Sequence, residues 1–194
     1  MGLSVERISV REQIVSDTNP FPVVTAAPSS TNTAGYNPSI SFARTADTSA
    51  YNAGDVIGIN NAGSPGSAIH SFTSFGPAGG NVIITGADLR IDASSVPAGM
   101  TNFRLHLYNA SPTAILDNAV WDLPSGDRTA YLGYIDLGTP VDVGSTLFVQ
   151  FDQINKQLKL ASAVTTIYGE LVTNGGFTPA SGTVFTIRLR VAAL

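Results

Sequence analysis

Short runs of alternating apolar and polar residues, separated by turn-forming residues, constrain the fold of this chain most strongly. In TVFTIRLRV, at 183–191, the apolar positions are Phe185, Ile187, Leu189 and Val191. Successive side chains of a strand point to opposite sides of a sheet, so this pattern predicts a β-strand with one buried face. Arg188 and Arg190 then lie on the opposite face, where we expect them to be solvated or to meet a carboxylate.

Short apolar runs separated by turn-forming residues recur from about residue 39 to residue 194. Further predicted strands are SISFAR, DVIGIN, AIHSFTSF, NVIITGADLRID, NFRLHLYN, AYLGYIDL, STLFVQF, KQLKLAS and TTIYGELV. In NFRLHLYN, alternation places Phe103, Leu105 and Leu107 inward and Arg104, His106 and Tyr108 outward. About ten short antiparallel strands without a long helix predict an all-β fold, either a β-sandwich or a jelly roll.

One segment is ambiguous between strand and helix. In FDQINKQLKL, Phe151, Ile154 and Leu158 also fit one face of a helix. Alternation at Leu158 and Leu160, with the turn-forming Asn155 in the middle, favours a hairpin instead.

Composition and charge exclude several classes of protein. Charged residues make up 12% of the chain, the formal net charge is −4, and no basic run is present to neutralise a phosphate backbone, so we expect no direct nucleic-acid binding. No segment approaches the roughly 18 uninterrupted apolar residues of a membrane span. Cysteine is absent, which removes disulfides and thiolate chemistry. The opening MGLSVERISVREQ carries charges where a secretory signal needs apolar residues, so we expect no export.

The first 38 residues differ from the rest, and we predict an extended N-terminal arm at 1–38 followed by a β-sandwich domain at 39–194. Residues 17–39 contain four prolines among small polar residues and have no sustained period. The preceding segment alternates only weakly and could form a short strand that pairs with a partner. Candidate partner contacts in the arm are Leu3, Val5, Ile8, Val10, Phe21 and Tyr36.

The stretch ARTADTSAYNAGDVIGIN, at 43–60, concentrates polar residues among small ones. Asp47 suits a turn, Gly54 and Asp55 suit another, and Tyr51 could cover the corner with its hydroxyl reaching solvent or backbone. We interpret the stretch as a corner between two strands. An interaction loop, with Tyr51 as a partner contact, is the alternative.

Two histidines, His70 and His106, each lie in a predicted strand without a second ligand at a metal-binding spacing. We interpret both as partly exposed strand residues. The sequence also contains no G-x-S-x-G nucleophile motif. We therefore expect no catalytic residues, no cofactor and no metal site, and we expect that the protein is not an enzyme.

The strongest candidate for ligand chemistry is LDNAVWDLPSGDR, at 116–128. Asp117, Asp122 and Asp127 flank Trp121, the only tryptophan, and an aromatic ring near carboxylates can stack against a sugar. Aspartates in such Asn-, Pro- and Gly-containing stretches are more commonly turn formers. Trp121 is retained as a candidate partner contact.

In order along the chain, RTADTSAYNAGDVIG, GADLRID, NFRLHLYNASPT, LDNAVWDL and AYLGYIDLG resemble a family of small virion proteins of tailed bacteriophages and prophages. The resemblance covers about residues 39–194. It implies a head decoration or cement protein that binds the outside of the capsid and bridges major capsid subunits. It further implies synthesis in the host cytoplasm, and no catalytic residues. We expect a homo-oligomer, with a trimer favoured over a dimer. The alternative is a receptor- or saccharide-binding module of a phage fibre.

Overall fold

The structure, a computed structural model, describes residues 34–194, and it is built almost entirely of β-strands. The strands are β1 (Gly35–Tyr36), β2 (Ser39–Ala43), β3 (Val56–Ile57), β4 (Asn60–Asn61), β5 (Ser64–Pro65), β6 (Ile69–Phe72), β7 (Asn81–Ile91), β8 (Phe103–Tyr108), β9 (Tyr131–Gly138), β10 (Val141–Asp142), β11 (Leu147–Lys159), β12 (Ile167–Thr173) and β13 (Val184–Ala193). A single-turn 3-10 helix occupies Ser125–Asp127. Residues 34–194 include no helix with the length and hydrophobicity that a membrane crossing requires.

The strand with the clearest alternation, β13, lies in the first sheet beside its middle strand, β7. The order of this sheet is β1-β13-β7-β11-β10, with β2 also paired to β13, and every pair is antiparallel. The apolar residues predicted to face inward on β13, Phe185, Ile187, Leu189 and Val191, are all buried. The prediction for this strand is confirmed.

The second sheet packs against the inner face of the first. Its order is β3-β12-β8-β9, with β6 also paired to β12, and β4 and β5 form a separate two-stranded ribbon. Phe103, Leu105 and Leu107 of β8 are fully buried, as predicted, in a core shared with β7 and β13. The β-sandwich prediction is therefore confirmed.

The outer residues of β8 point outward as predicted, but only Arg104 among them is partly exposed, and the prediction of a partly exposed His106 was wrong. His106 and Tyr108 point away from the core between the sheets, yet both are buried. Trp121, in the connection between β8 and β9, lies against His106 with 3.9 Å between ring centroids. A long connection thus covers a sheet face that alternation alone assigns to solvent.

The predicted hairpin at 151–160 is a single strand instead. β11 runs without interruption from Leu147 to Lys159 along β7, and its register shifts between Asp152 and Lys156. Gln153 and Asn155 have positive φ angles of 63° and 51° in this β-bulge. The turn-forming residue therefore bends the strand and does not reverse it. The helical alternative is also excluded.

Residues before the predicted domain boundary at 39 already belong to the first sheet. Gly35 and Tyr36 pair with Ala192 and Val191 of β13. Together β1 and β2 cover the edge of β13 that would otherwise present unpaired backbone groups. The remainder of the predicted arm, 1–33, lies outside the described residues.

Candidate functional site

The predicted partner contacts fall into two groups. Those that lie outside the described residues are Leu3, Val5, Ile8, Val10 and Phe21. Of the others, Tyr36 lies on the edge strand β1 and is half-buried against the core. Tyr51 and Trp121 each belong to a network of hydrogen bonds with buried carboxylates.

A buried ion network organises the corner at 43–60. The Arg44 guanidinium is fully buried; its Nε donates to the Tyr51 hydroxyl at 3.0 Å and its terminal nitrogens bond Asp47. The Tyr51 hydroxyl in turn donates to Asp117 Oδ1 at 2.6 Å, and the Gly58 amide donates to the same oxygen at 2.8 Å. This network fastens the β2–β3 connection to the β8–β9 connection.

The protonation equilibria of the network follow from its burial. Burial raises the pKa of Tyr51, and the hydrogen bond to Asp117 raises it further, so the phenol stays neutral and keeps its proton for that carboxylate. Burial by itself would lower the pKa of Arg44, but the bonds to Asp47 and Tyr51 raise it. The stretch at 43–60 connects β2 to β3 and forms the corner between these strands. The buried Tyr51 side chain offers a partner almost no surface.

The Trp121 indole nitrogen does not bond the aspartates that flank it in the sequence. Asp117 belongs to the corner network, and Asp127 accepts a bond from the Thr113 amide at 2.9 Å as a turn residue does. The indole Nε1 instead donates to Glu170 Oε2 at 3.0 Å. Glu170 lies on β12, and sequence reasoning missed it because strand pairing, which sequence spacing does not reveal, brings it to Trp121.

Strand register collects aromatic residues on the outer side of the second sheet. Tyr168, Tyr108 and Tyr131 pair across β12, β8 and β9, and the next row of the same strands contains Glu170, His106 and Tyr134. With Trp121 lying against His106, this surface holds four of the six tyrosines and the only tryptophan. We call it the aromatic face, defined by His106, Tyr108, Trp121, Tyr131, Tyr134 and Tyr168.

The pKa values of His106 in the aromatic face and of Glu170 beneath it are both shifted. Burial lowers the pKa of His106 to about 4, and its Nδ1 lies 2.9 Å from the Tyr131 hydroxyl. Burial raises the pKa of Glu170, although bonds from the Tyr108 hydroxyl and the Trp121 indole lower it in part. Glu170 is 1% exposed, and its second oxygen, Oε1, is buried without a hydrogen-bond partner.

The outer side of the first sheet has a different character, with arginines gathered over a buried carboxylate. Arg188 Nε donates to Asp88 Oδ2 at 2.9 Å, Arg190 Nη1 lies 3.4 Å from the same oxygen, and Arg90 Nε lies 3.6 Å from Oδ1. Arg190 also pairs with Asp152 of β11. The prediction that Arg188 and Arg190 meet a carboxylate is confirmed. We call Arg90, Arg188 and Arg190 the arginine face.

A glycine makes this close packing of arginines feasible. Gly86 lies opposite Arg190 on β13, at the register shift between Arg190 and Val191. A Cβ atom at position 86 would overlap the guanidinium of Arg190. The side chain can therefore lie flat across the strand.

Other concave or charged features are modest. A crevice of about 600 Å³ opens between loops at one end of the sandwich, lined by polar residues that include Asp92, Ser94, Ser145 and Thr178. Across residues 34–194, no group of three or more histidine and acidic side chains is placed to hold a metal ion. His70 is also buried, with Nε2 at 3.1 Å from the Ile57 carbonyl oxygen, so neither histidine is the partly exposed residue predicted.

Comparison with known proteins gives only distant likenesses. No protein-family model and no curated protein matches the chain. A chain from a full particle of Israeli acute paralysis virus heated to 63 degrees is similar with a TM-score of 0.29 and 11% identity, over 84% of this chain and 74% of that one. Two structures of infectious bursal disease virus are also similar. The Gx strain structure has a TM-score of 0.21 and 12% identity, over 84% of this chain and 41% of that one. The VP2 subviral particle has a TM-score of 0.18 and 10% identity, over 91% of this chain and 46% of that one. TM-scores this low do not establish a shared fold or function.

Proposed function

We propose that this chain is a structural virion protein, a decoration or cement protein that binds the outside of a phage head and bridges major capsid subunits. The observation that carries the proposal is where the phrases of the family resemblance lie in the fold. Tyr51 of RTADTSAYNAGDVIG donates to Asp117 of LDNAVWDL, and Arg44 pairs with the same carboxylate at 3.5 Å. The Val56 amide also donates to the Ala119 carbonyl at 2.9 Å. The two phrases form one framework.

The other phrases contribute to the same architecture. NFRLHLYNASPT and AYLGYIDLG contain β8 and β9, which pair with each other, and GADLRID supplies Asp88 beneath the arginine face. The residues that mark the resemblance thus hold strands and connections together. This use is what we expect of a family whose role is contact between proteins rather than catalysis.

The arginine face is the surface that we assign to the shell. Arg90 and Arg188 expose almost half of each side chain. Asp88 fixes the Arg188 guanidinium by a hydrogen bond and attracts that of Arg90, whose Nε lies 3.6 Å from Oδ1. Arginine is enriched at protein interfaces, and a guanidinium that is already positioned loses less conformational entropy on binding. A trimer, or a dimer as the alternative, would present several such faces at once and so raise the effective concentration of contacts.

Binding to purified particles tests the proposal. Wild-type protein added to heads that lack it should bind to saturation at a fixed ratio to the major capsid protein, and a cryo-EM map should place it outside the shell. Arg90→Gln should weaken binding by at least about fivefold, as the loss of an interface arginine does. Lys159→Gln, at an exposed position of β11, is the matched control and should bind normally. Heads that never bind the wild-type protein would overturn the proposal.

A further inference from the structure

We propose that the aromatic face binds a neutral saccharide, with the Tyr134 ring as the platform for a pyranose and Arg104 and Asp136 as the groups that hydrogen-bond its hydroxyls. This site lies on the second sheet, on the side of the sandwich opposite the arginine face, and it is a further activity that does not depend on the capsid role.

Tyr134 supplies the exposed ring that such a site needs. It lies on β9, whose other edge has no strand partner among the described residues, and it is 48% exposed. The Arg104 guanidinium carbon lies 4.8 Å from the ring centroid and covers one side of the ring. The His106 ring lies 5.6 Å away between centroids, and the exposed part of the Tyr134 π-surface can pack against the C–H groups of a pyranose.

Polar groups suited to sugar hydroxyls adjoin this ring. Arg104 and Asp136 are paired across β8 and β9, with Nε 3.6 Å from Oδ2, and their side chains are 39% and 43% exposed. Asn102 Nδ2 donates to Asp136 Oδ1 at 3.1 Å and fixes the orientation of the carboxylate. A guanidinium donates and a carboxylate accepts, so adjacent hydroxyls of one sugar can bond both.

Two hydrogen-bonding atoms in this region have no partner in the fold. Arg104 Nε is a buried donor without a hydrogen bond, and Glu170 Oε1 is a buried acceptor that also lacks a hydrogen bond. Leaving such groups unpaired costs free energy. Arg104 lies two positions from His106 on β8, and Glu170 pairs with His106 across β12 and β8, so both unpaired atoms lie beneath the face that carries the platform.

The charge of the site selects a neutral ligand. Arg104 and Asp136 compensate each other, and the rings around them carry no charge. An exposed ring beside a paired donor and acceptor suits the C–H groups and hydroxyls of a neutral sugar.

Titration of the full chain with two probes, the N-acetylglucosamine tetramer and maltotetraose, tests the proposal by NMR or calorimetry. At least one should bind saturably, and Tyr134→Ala should weaken its binding at least tenfold, with Tyr134→Trp retaining it. Phe151→Ala removes an aromatic ring of similar exposure, 46%, from the first sheet and is the matched control. Thermal midpoints of all variants should show that each remains folded.

Failure of both saccharides to bind, or binding that Tyr134→Ala leaves unchanged, would overturn the proposal. Loss of particle binding by Tyr134→Ala without any saccharide binding would do the same and would identify the aromatic face as a protein interface. Because Arg90→Gln should leave saccharide binding intact, the capsid role and the saccharide site can fail separately.

Discussion

Removing one hydroxyl group from the corner network should destabilise the domain measurably. Tyr51→Phe keeps the ring but deletes the acceptor of Arg44 Nε and the donor to Asp117. Hydrogen bonds to charged groups contribute about 1.5–3 kcal/mol each, and a buried donor left unpaired costs about 1–3 kcal/mol. Asp117 keeps the Gly58 amide and Arg44 keeps Asp47, so part of the network survives. We expect a loss of about 2–4 kcal/mol in the free energy of unfolding.

Urea unfolding followed by the fluorescence of Trp121, the only tryptophan, measures this loss. The midpoint should fall while the dependence on urea concentration stays the same. Tyr134→Phe removes a hydroxyl from an exposed ring and should change stability by less than about 0.5 kcal/mol. A loss of under about 1 kcal/mol for Tyr51→Phe would refute the view that this network fastens the two connections.

Three further predictions concern the core, a histidine and the bulge. Leu189→Ala truncates a fully buried side chain and should cost about 2–5 kcal/mol in thermal or urea unfolding, and an unchanged midpoint would show that this face is not core. Burial lowers the pKa of His70 from its usual 6.5 to about 4, so the unfolded chain binds the extra proton, and stability present above pH 6.5 is lost as the pH falls toward 4. Replacing His70 with Gln should therefore reduce the pH dependence of the unfolding free energy in that window by about 1.4 kcal/mol per pH unit, and equal slopes would contradict the buried neutral imidazole. Asn155→Val places a β-branched residue at φ 51° and should cost about 1–2 kcal/mol, whereas Asn155→Gly should stay near wild type; equal stability of the two variants would argue against the left-handed backbone.

Alternation predicts a strand well where each of its faces has a single kind of environment. On β13 one face meets only the core and the other meets solvent and Asp88, so its pattern is unambiguous. On β8 the outer face is covered by the connection that carries Trp121, which has no period of its own, and so His106 could not be predicted as buried. An alternation pattern reports only on neighbouring residues of the sequence. Whether a distant connection packs over a sheet face depends on tertiary structure.

The same limit applies to the candidate site. Trp121 was selected from its sequence neighbourhood, but its hydrogen-bond partner Glu170 lies 49 positions away and is brought near by the pairing of β12 with β8. Asn155 is a residue type that tolerates a positive φ angle, and it has one in the structure. Both a β-bulge and a turn use such residues, so the sequence did not distinguish between them. Only the continued pairing of Lys156–Lys159 with β7 distinguishes them.

The position of β13 between β7 and the edge strands β1 and β2 has a consequence for synthesis of the chain. Its partner β7 is made about one hundred residues earlier, and the other partners, β1 and β2, earlier still. Until β13 has left the ribosome, the apolar side of β7, with Ile84 and Leu89, has only β11 beside it in the first sheet. Pairing between such distant segments is slow and leaves nascent strands open to aggregation. The first sheet of this domain can therefore be completed only after β13 has been made.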